Sequence, residues 1–107
     1  MSKYLLLYQG GAGMMLTEEE RNAELARWGV WYGQLGAAVV DGGNPFGPAA
    51  RRVLSSGQVV DKADGQMATG YTIISADSLD QAAQMAQGCP VLRSGGEVTV
   101  YETFDVM

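Results

Sequence analysis

Residues 69–102 read TGYTIISADSLDQAAQMAQGCPVLRSGGEVTVYE, and this stretch decides the fold. Thr69 to Ser75 reads as a strand, with Tyr71, Ile73 and Ile74 as β-formers. Ser78 is suited to cap a helix, and Gln81 three residues on completes an S-x-x-Q capping pattern. Leu79, Ala82, Ala83 and Ala86 follow an i, i+3, i+4, i+7 spacing, which predicts one apolar helix face narrow enough to pack closely on a sheet. Gly88 and Pro90 end that helix. Glu97 to Tyr101, EVTVY, alternates and supplies a last strand. The stretch is strand, helix, strand.

Working outward, the upstream half repeats that plan with a hairpin inserted. Lys3 to Gln9, KYLLLYQ, is a near-continuous apolar run of strand length, the pattern of a strand covered on both faces. Thr17 and Glu20 make a second capping box, with Glu18 and Glu19 in the favoured first turn. Leu25, Trp28, Tyr32 and Leu35 predict the buried face of the helix, with Trp31 at its edge and Gly36 as its stop. Ala37 to Val40 is a short strand ending at Asp41, followed by the irregular DGGNPFGP. Arg51–Ser55 and Gln58–Lys62 flank Ser56-Gly57 as a hairpin, and Ala63-Asp64-Gly65 is a further turn.

The order β-α-β, hairpin, β-α-β predicts an α+β, ferredoxin-like subunit, with an antiparallel sheet and both helices on one face. Strands one and four are apolar on both sides and no third helix is available. Two sheets packed face to face as a homodimer are the economical solution, giving a dimeric α+β barrel.

At 107 residues, 47% hydrophobic and 18% charged, the chain reads as one globular domain over 1–107. A net charge of −5 argues against nucleic acid and anionic membrane surfaces as partners. No apolar run approaches the roughly 20 residues of a membrane span. MSKYLLLYQGG does not follow a signal-peptide pattern, and the single cysteine, Cys89, excludes an internal disulfide framework. The expected location is cytoplasmic.

The stretches GYTIISADSLDQAAQMAQGCPVL and GGEVTVYE resemble the YCII-related (DGPF-domain) family, whose pattern runs GGY, a β-run, an ADSLDEA-like helix start, GCP and GG-x-VEV. KYLLLY matches the family's first strand, and WGVWYGQLGAAVVDGGNPFGPAARRV resembles one branch of it. The resemblance covers nearly the whole chain and implies the ferredoxin-like subunit and the dimeric barrel. Some members are proposed to use a His–Asp pair, with dehalogenation-type hydrolysis in a minority. This chain has no histidine, so that chemistry does not carry over. Asp64-Gly65 stands where the DGPF signature would start, but Gln66 and Met67 replace Pro and Phe.

Candidate site residues follow from position. Asp41 and Asn44 sit in the loop after the second strand, a place where sites are commonly carried, although both residues also stabilise turns by themselves. Asp64, in an Asp-Gly turn, is the other acid–base candidate, paired with Asp41 only if the fold joins them. Tyr8 and Tyr71 point either into a cavity between sheets or into packing, and Trp31 either into the core or into a pocket or interface. Gly11-Ala12-Gly13 lacks the Gly-Lys-Ser/Thr ending of a phosphate loop. Cys89, beside a helix C-terminus and with no histidine, is a poor nucleophile. Neither a metal set nor a cofactor motif is present.

The reading is a homodimeric protein that binds, or weakly transforms, a small molecule through Tyr8, Trp31, Asp41, Asn44 and Tyr71. Its alternative is a non-catalytic regulatory module; relatives near or fused to sigma factors suggest that class of partner. A cofactor-free monooxygenase rests on fold analogy alone.

Overall fold

The structure is a computed structural model that describes residues 2–10, 17–47, 49–61 and 68–106. Its elements are β1 (Ser2–Gln9), α1 (Glu18–Leu35), β2 (Val39–Asp41), β3 (Arg51–Val53), β4 (Val59–Asp61), β5 (Ala68–Ala76), α2 (Leu79–Ala86) and β6 (Glu97–Glu102). Short 3-10 turns lie at Gly36–Ala38 and Pro90–Ser94. The main sheet runs β2-β5-β1-β6, and every neighbouring pair is antiparallel. This is the ferredoxin-like order, in which each β-α-β unit is split by a strand of the other.

Both helices pack on one face of that sheet. Tyr4, Leu6 and Tyr8 of β1 and Thr72, Ile74 and Ala76 of β5 are buried there, against Trp31 of α1 and Ala82 and Ala86 of α2. Val91 and Cys89 close the core beneath the second 3-10 turn.

The helix starts form as the capping patterns predict. The Thr17 hydroxyl accepts from the Glu20 N–H at 3.1 Å, and the Glu20 carboxylate accepts from the Thr17 N–H at 3.2 Å. These bonds lower the Glu20 pKa, the Thr17 side chain contributing most. The Ser78 hydroxyl accepts from the Gln81 N–H at 3.0 Å. The Gln81 side chain, however, accepts from the Asp77 N–H rather than from the cap residue itself.

Both apolar faces are rotated from their predicted positions. Leu25 is 63% exposed, whereas Trp31 is only 3% exposed. The two lie about 120° apart around a helix that advances 100° per residue, so the buried arc has turned towards Trp31. In α2, Ala82 and Ala86 are buried and Met85 joins them, while Leu79 and Ala83 are exposed. The second strand also starts later than predicted. Gly36 takes φ 56°, its N–H donates to the Tyr32 carbonyl, and a 3-10 turn uses up Gly36–Ala38 before Val39 reaches the sheet.

The hairpin forms around Ser56-Gly57, with Arg51 opposite Asp61 and Val53 opposite Val59. It is a separate two-stranded sheet, and β3 is exposed along its whole length. The radius of gyration, 15.2 Å, exceeds the roughly 13 Å of a compact domain of this length. No helix among the described residues is long and apolar enough to cross a membrane.

Candidate functional site

Alternation along β1 and β5 sorts their side chains onto two faces. The first carries the core. On the second, Leu5, Leu7, Tyr71 and Ile73 are apolar yet only partly buried. Strand register arranges this open face in rows. Asp41 lies opposite Ile73, Ile73 opposite Leu5, and Leu5 opposite Tyr101, a row spanning roughly 14 Å across four strands. In the next row Tyr71, Leu7 and Thr99 are neighbours.

The loop after β2 forms the rim of this face. Pro45 makes a bridge to Gly70, and the Phe46 N–H donates to the Thr69 carbonyl at 2.8 Å, so the loop continues the sheet edge. That path brings the Phe46 ring onto Tyr71, with centroids 5.9 Å apart and planes 28° from parallel. Gly43 makes the approach possible. It takes φ 71°, and a Cβ there would lie 1.8 Å from the Tyr71 carbonyl oxygen. The Asp41 carboxylate accepts from the Gly43 N–H at 2.8 Å, an Asx turn that fixes the corner.

Behind the loop, on the helix side, three hydroxyls converge. The Tyr8 hydroxyl donates to Thr72 Oγ1 at 2.6 Å. The Thr72 hydroxyl has two acceptors within reach, the Gly42 carbonyl at 3.1 Å and the Tyr32 oxygen at 3.2 Å. The Tyr32 hydroxyl donates to the same Gly42 carbonyl at 3.0 Å. Thr72 is fully buried, and no buried side-chain nitrogen or oxygen among the described residues lacks a partner. Trp28 packs edge-on to Tyr8 and Trp31, shielding the cluster. Burial therefore pushes the Tyr8 phenol far above its ordinary range. The network holds the Gly42 carbonyl, and through it the corner that carries Asp41 and Asn44.

The candidate residues divide between the two faces. Register pairs Tyr8 with Gly70 and Tyr71 with Leu7, which puts the two tyrosines on opposite sides of the sheet rather than in one cavity. Trp31 is in the core, its indole N–H donating to the Met85 carbonyl at 3.1 Å. Asp41 and Tyr71 lie on the open-face side, Asp41 opposite Ile73, whereas Asn44 sits in the loop with its carbonyl against Gly70. Asp64 lies outside the described residues. Sequence reasoning missed Phe46, Thr72 and Tyr101. Phe46 had a readable signal, as the lone aromatic in GGNPFG; Thr72 and Tyr101 needed the register.

Cys89 is 2% exposed, and burial pushes its thiol up to about 11, the opposite of an activated nucleophile. Among the described residues no group of three or more His, Cys, Asp or Glu side chains could hold a metal ion. Two shallow depressions of about 270 and 260 Å³ lie along α1, the second reaching Gly88, Pro90 and Arg93, and neither includes a residue of the open face.

The YCII-related domain profile matches residues 3–106. The chain belongs to the YCII-related family. No curated protein matches the sequence. Among solved structures, this YCII-related chain is similar to a 5-chloro-2-hydroxyhydroquinone dehydrochlorinase from Burkholderia phenoliruptrix AC1100, determined as a complex with 2,5-dihydroxybenzoquinone. The TM-score is 0.59 at 18% identity, over 96% of this chain and 93% of the other. At that identity the likeness shows a shared ferredoxin-like α+β fold.

Proposed function

We propose that this YCII-related protein binds a small planar aromatic molecule bearing polar substituents, in a cavity formed when the open sheet faces of two copies meet. The observation that carries this reading is the apolar row Tyr101–Leu5–Ile73, ending at Asp41 and flanked by the Phe46–Tyr71 stack. Stacked rings offer a planar ligand a π-surface, and Asp41 and Asn44 offer polar anchors at the rim. The fold shared with a protein that binds a dihydroxybenzoquinone supports the same ligand class. Tyr8 and Trp31 then act as positioning residues, Tyr8 through the Gly42 carbonyl and Trp31 by seating α1 against α2. If the ligand is also transformed, Asp41 is the acid–base candidate, with Asp64 as the second group. The cytoplasm is the proposed location, with Cys89 kept as a buried thiol.

A titration of substituted benzoquinones and hydroquinones, followed by thermal shift and calorimetry, tests this reading. A ligand at 100 times its Kd stabilises by about 2.7 kcal/mol. Phe46→Ala and Tyr71→Ala are expected to abolish the shift, and Asp41→Asn to weaken it. No shift with any compound, or shifts that survive both aromatic truncations, would refute it. The absence of histidine, together with an Asp41 carboxylate already engaged by its own backbone, supports a second reading, a non-catalytic regulatory module. That reading predicts ligand binding without turnover, or occupation of the open face by a partner protein.

A further inference from the structure

We infer that the depression between α1 and the second 3-10 turn is a binding site for a monocyclic aromatic carboxylate. It lies apart from the open sheet face, lined by Arg27, Val30 and Trp31 from α1 and by Gly88, Pro90 and Arg93. The lining divides by chemistry. Val30 and Pro90 supply an apolar floor, and Val30 is 62% exposed, so that floor is open to a ligand. Trp31 adds indole carbon only, because its N–H is already donated to the Met85 carbonyl at 3.1 Å. Gly88 lets the turn close on the indole, since a Cβ there would lie 3.1 Å from Trp31 Cδ1.

Two observations select the ligand. The first is charge. The chain has twelve acidic residues against seven basic ones, yet this lining takes two arginines from distant parts of the sequence and no carboxylate. Glu24 accepts from Arg27 Nη1 at 2.8 Å, which leaves the other N–H groups of that guanidinium available. Arg93 is in no ion pair among the described residues. Guanidinium forks match a carboxylate through paired N–H···O bonds, and they also stack on aromatic faces, which favours an aromatic ring over an aliphatic one. The adjoining depression shares Arg27 but is lined by Glu19, Glu20 and Glu24, so an anion is kept to the Arg93 side. The second is size. Pockets for drug-sized molecules start at roughly 300 Å³, so about 260 Å³ limits the ligand to one ring and its carboxylate. The ring lies against Val30 and Pro90, with the carboxylate towards Arg27 and Arg93.

Benzoate titrated into the full chain at constant ionic strength, followed by tryptophan fluorescence and amide NMR shifts, tests the site. The expected result is saturable binding that moves the amides of Val30, Gly88 and Arg93 and leaves those of Leu7, Tyr71 and Ile73 still. Benzamide lacks the charge and acetate lacks the ring, so each should bind at least about tenfold more weakly. Arg93→Gln and Arg27→Gln should each raise the dissociation constant about tenfold, with an unchanged circular dichroism spectrum, and Arg93→Lys, which keeps the charge without the fork, should fall between. No saturation up to about 10 mM, or benzamide binding as well as benzoate, overturns the site. Shifts confined to Leu7, Tyr71 and Ile73, unaffected by either arginine substitution, also overturn it while leaving the aromatic reading of the open face standing.

Discussion

Thr72→Val isolates the hydroxyl network that holds the loop. Valine keeps the branched shape and the β-strand preference, so the backbone of β5 has no reason to move. What changes is the fate of three polar groups. The Tyr8 hydroxyl, 5% exposed, loses the acceptor it holds at 2.6 Å. A buried donor left unsatisfied costs about 1–3 kcal/mol. The Gly42 carbonyl keeps its bond from Tyr32 at 3.0 Å, so the damage there is partial. Burying a methyl in place of a hydroxyl returns up to about 0.8 kcal/mol. The net expectation is a loss of about 2 kcal/mol. Tyr8→Phe alone removes only the donor and should cost about 1 kcal/mol, because Thr72 can still donate to Gly42. The decisive case is the double variant. With both partners apolar nothing is stranded, so adding Tyr8→Phe to Thr72→Val should restore stability, with a coupling energy of about 1–2 kcal/mol. Urea unfolding at fixed protein concentration measures all four proteins, and an unchanged m-value licenses the comparison. Thr72→Val within about 0.5 kcal/mol of wild type, or a double variant that sums its parents, would refute the network as the loop's support.

Two further outcomes follow from local geometry. Gly43→Ala and Gly57→Ala both place a side chain at positive φ, 71° and 90°, but only the first meets an atom, the Tyr71 carbonyl at 1.8 Å. Thermal melts should show a loss of about 1 kcal/mol for Gly57→Ala and at least twice that for Gly43→Ala; equal losses would mean the loop relaxes freely. Burial raises the folded pKa of both Tyr8 and Cys89, so their contribution is complete below the unfolded pKa and declines as pH rises past it. For Cys89 that window runs from 9.0 to about 11, worth about 3 kcal/mol in full. Urea midpoints at pH 8 and 10.5 should therefore fall less for Cys89→Ala than for wild type, and matching falls would contradict the buried neutral thiol.

The features that were legible in the sequence are those fixed by a few neighbouring residues. Thr17 with Glu20, and Ser78 with Gln81, declare helix starts because a cap is a local bond. Ser56-Gly57 declares a hairpin for the same reason. What depends on the angle of one element against another was not legible. Leu25 belongs to the predicted stripe of α1 and Trp31 to its edge, and only the seating of the helix on β1 and β5 decides that Trp31 goes in and Leu25 stays out. KYLLLYQ is apolar on both sides, so it could not say which face Tyr8 takes; pairing with Gly70 does. Position along the chain nominated Tyr8, Trp31, Asp41, Asn44 and Tyr71 together, but it could not say which side of the sheet each takes: Tyr8 and Trp31 go to the core, Asp41 and Tyr71 to the open face. Thr72, an unremarkable strand threonine, becomes the hub only because Tyr8 arrives from β1 and Tyr32 from α1.

The central position of β1 has a consequence for synthesis. Its two neighbours are β5 and β6, so Tyr8 waits for Gly70, and Tyr4 waits for both Ile74 and Glu102. At about 5–20 residues per second, the first strand made stays without its partners for roughly 3–20 s after it leaves the ribosome. The pairings are almost all long-range, which also predicts slow folding relative to helical proteins of this size. For that interval KYLLLYQ is a bare apolar strand, the kind of segment that chaperones hold and that aggregates when they are scarce. The arrangement that buries β1 most securely in the finished sheet is therefore the one that leaves it unprotected longest while the chain is being made.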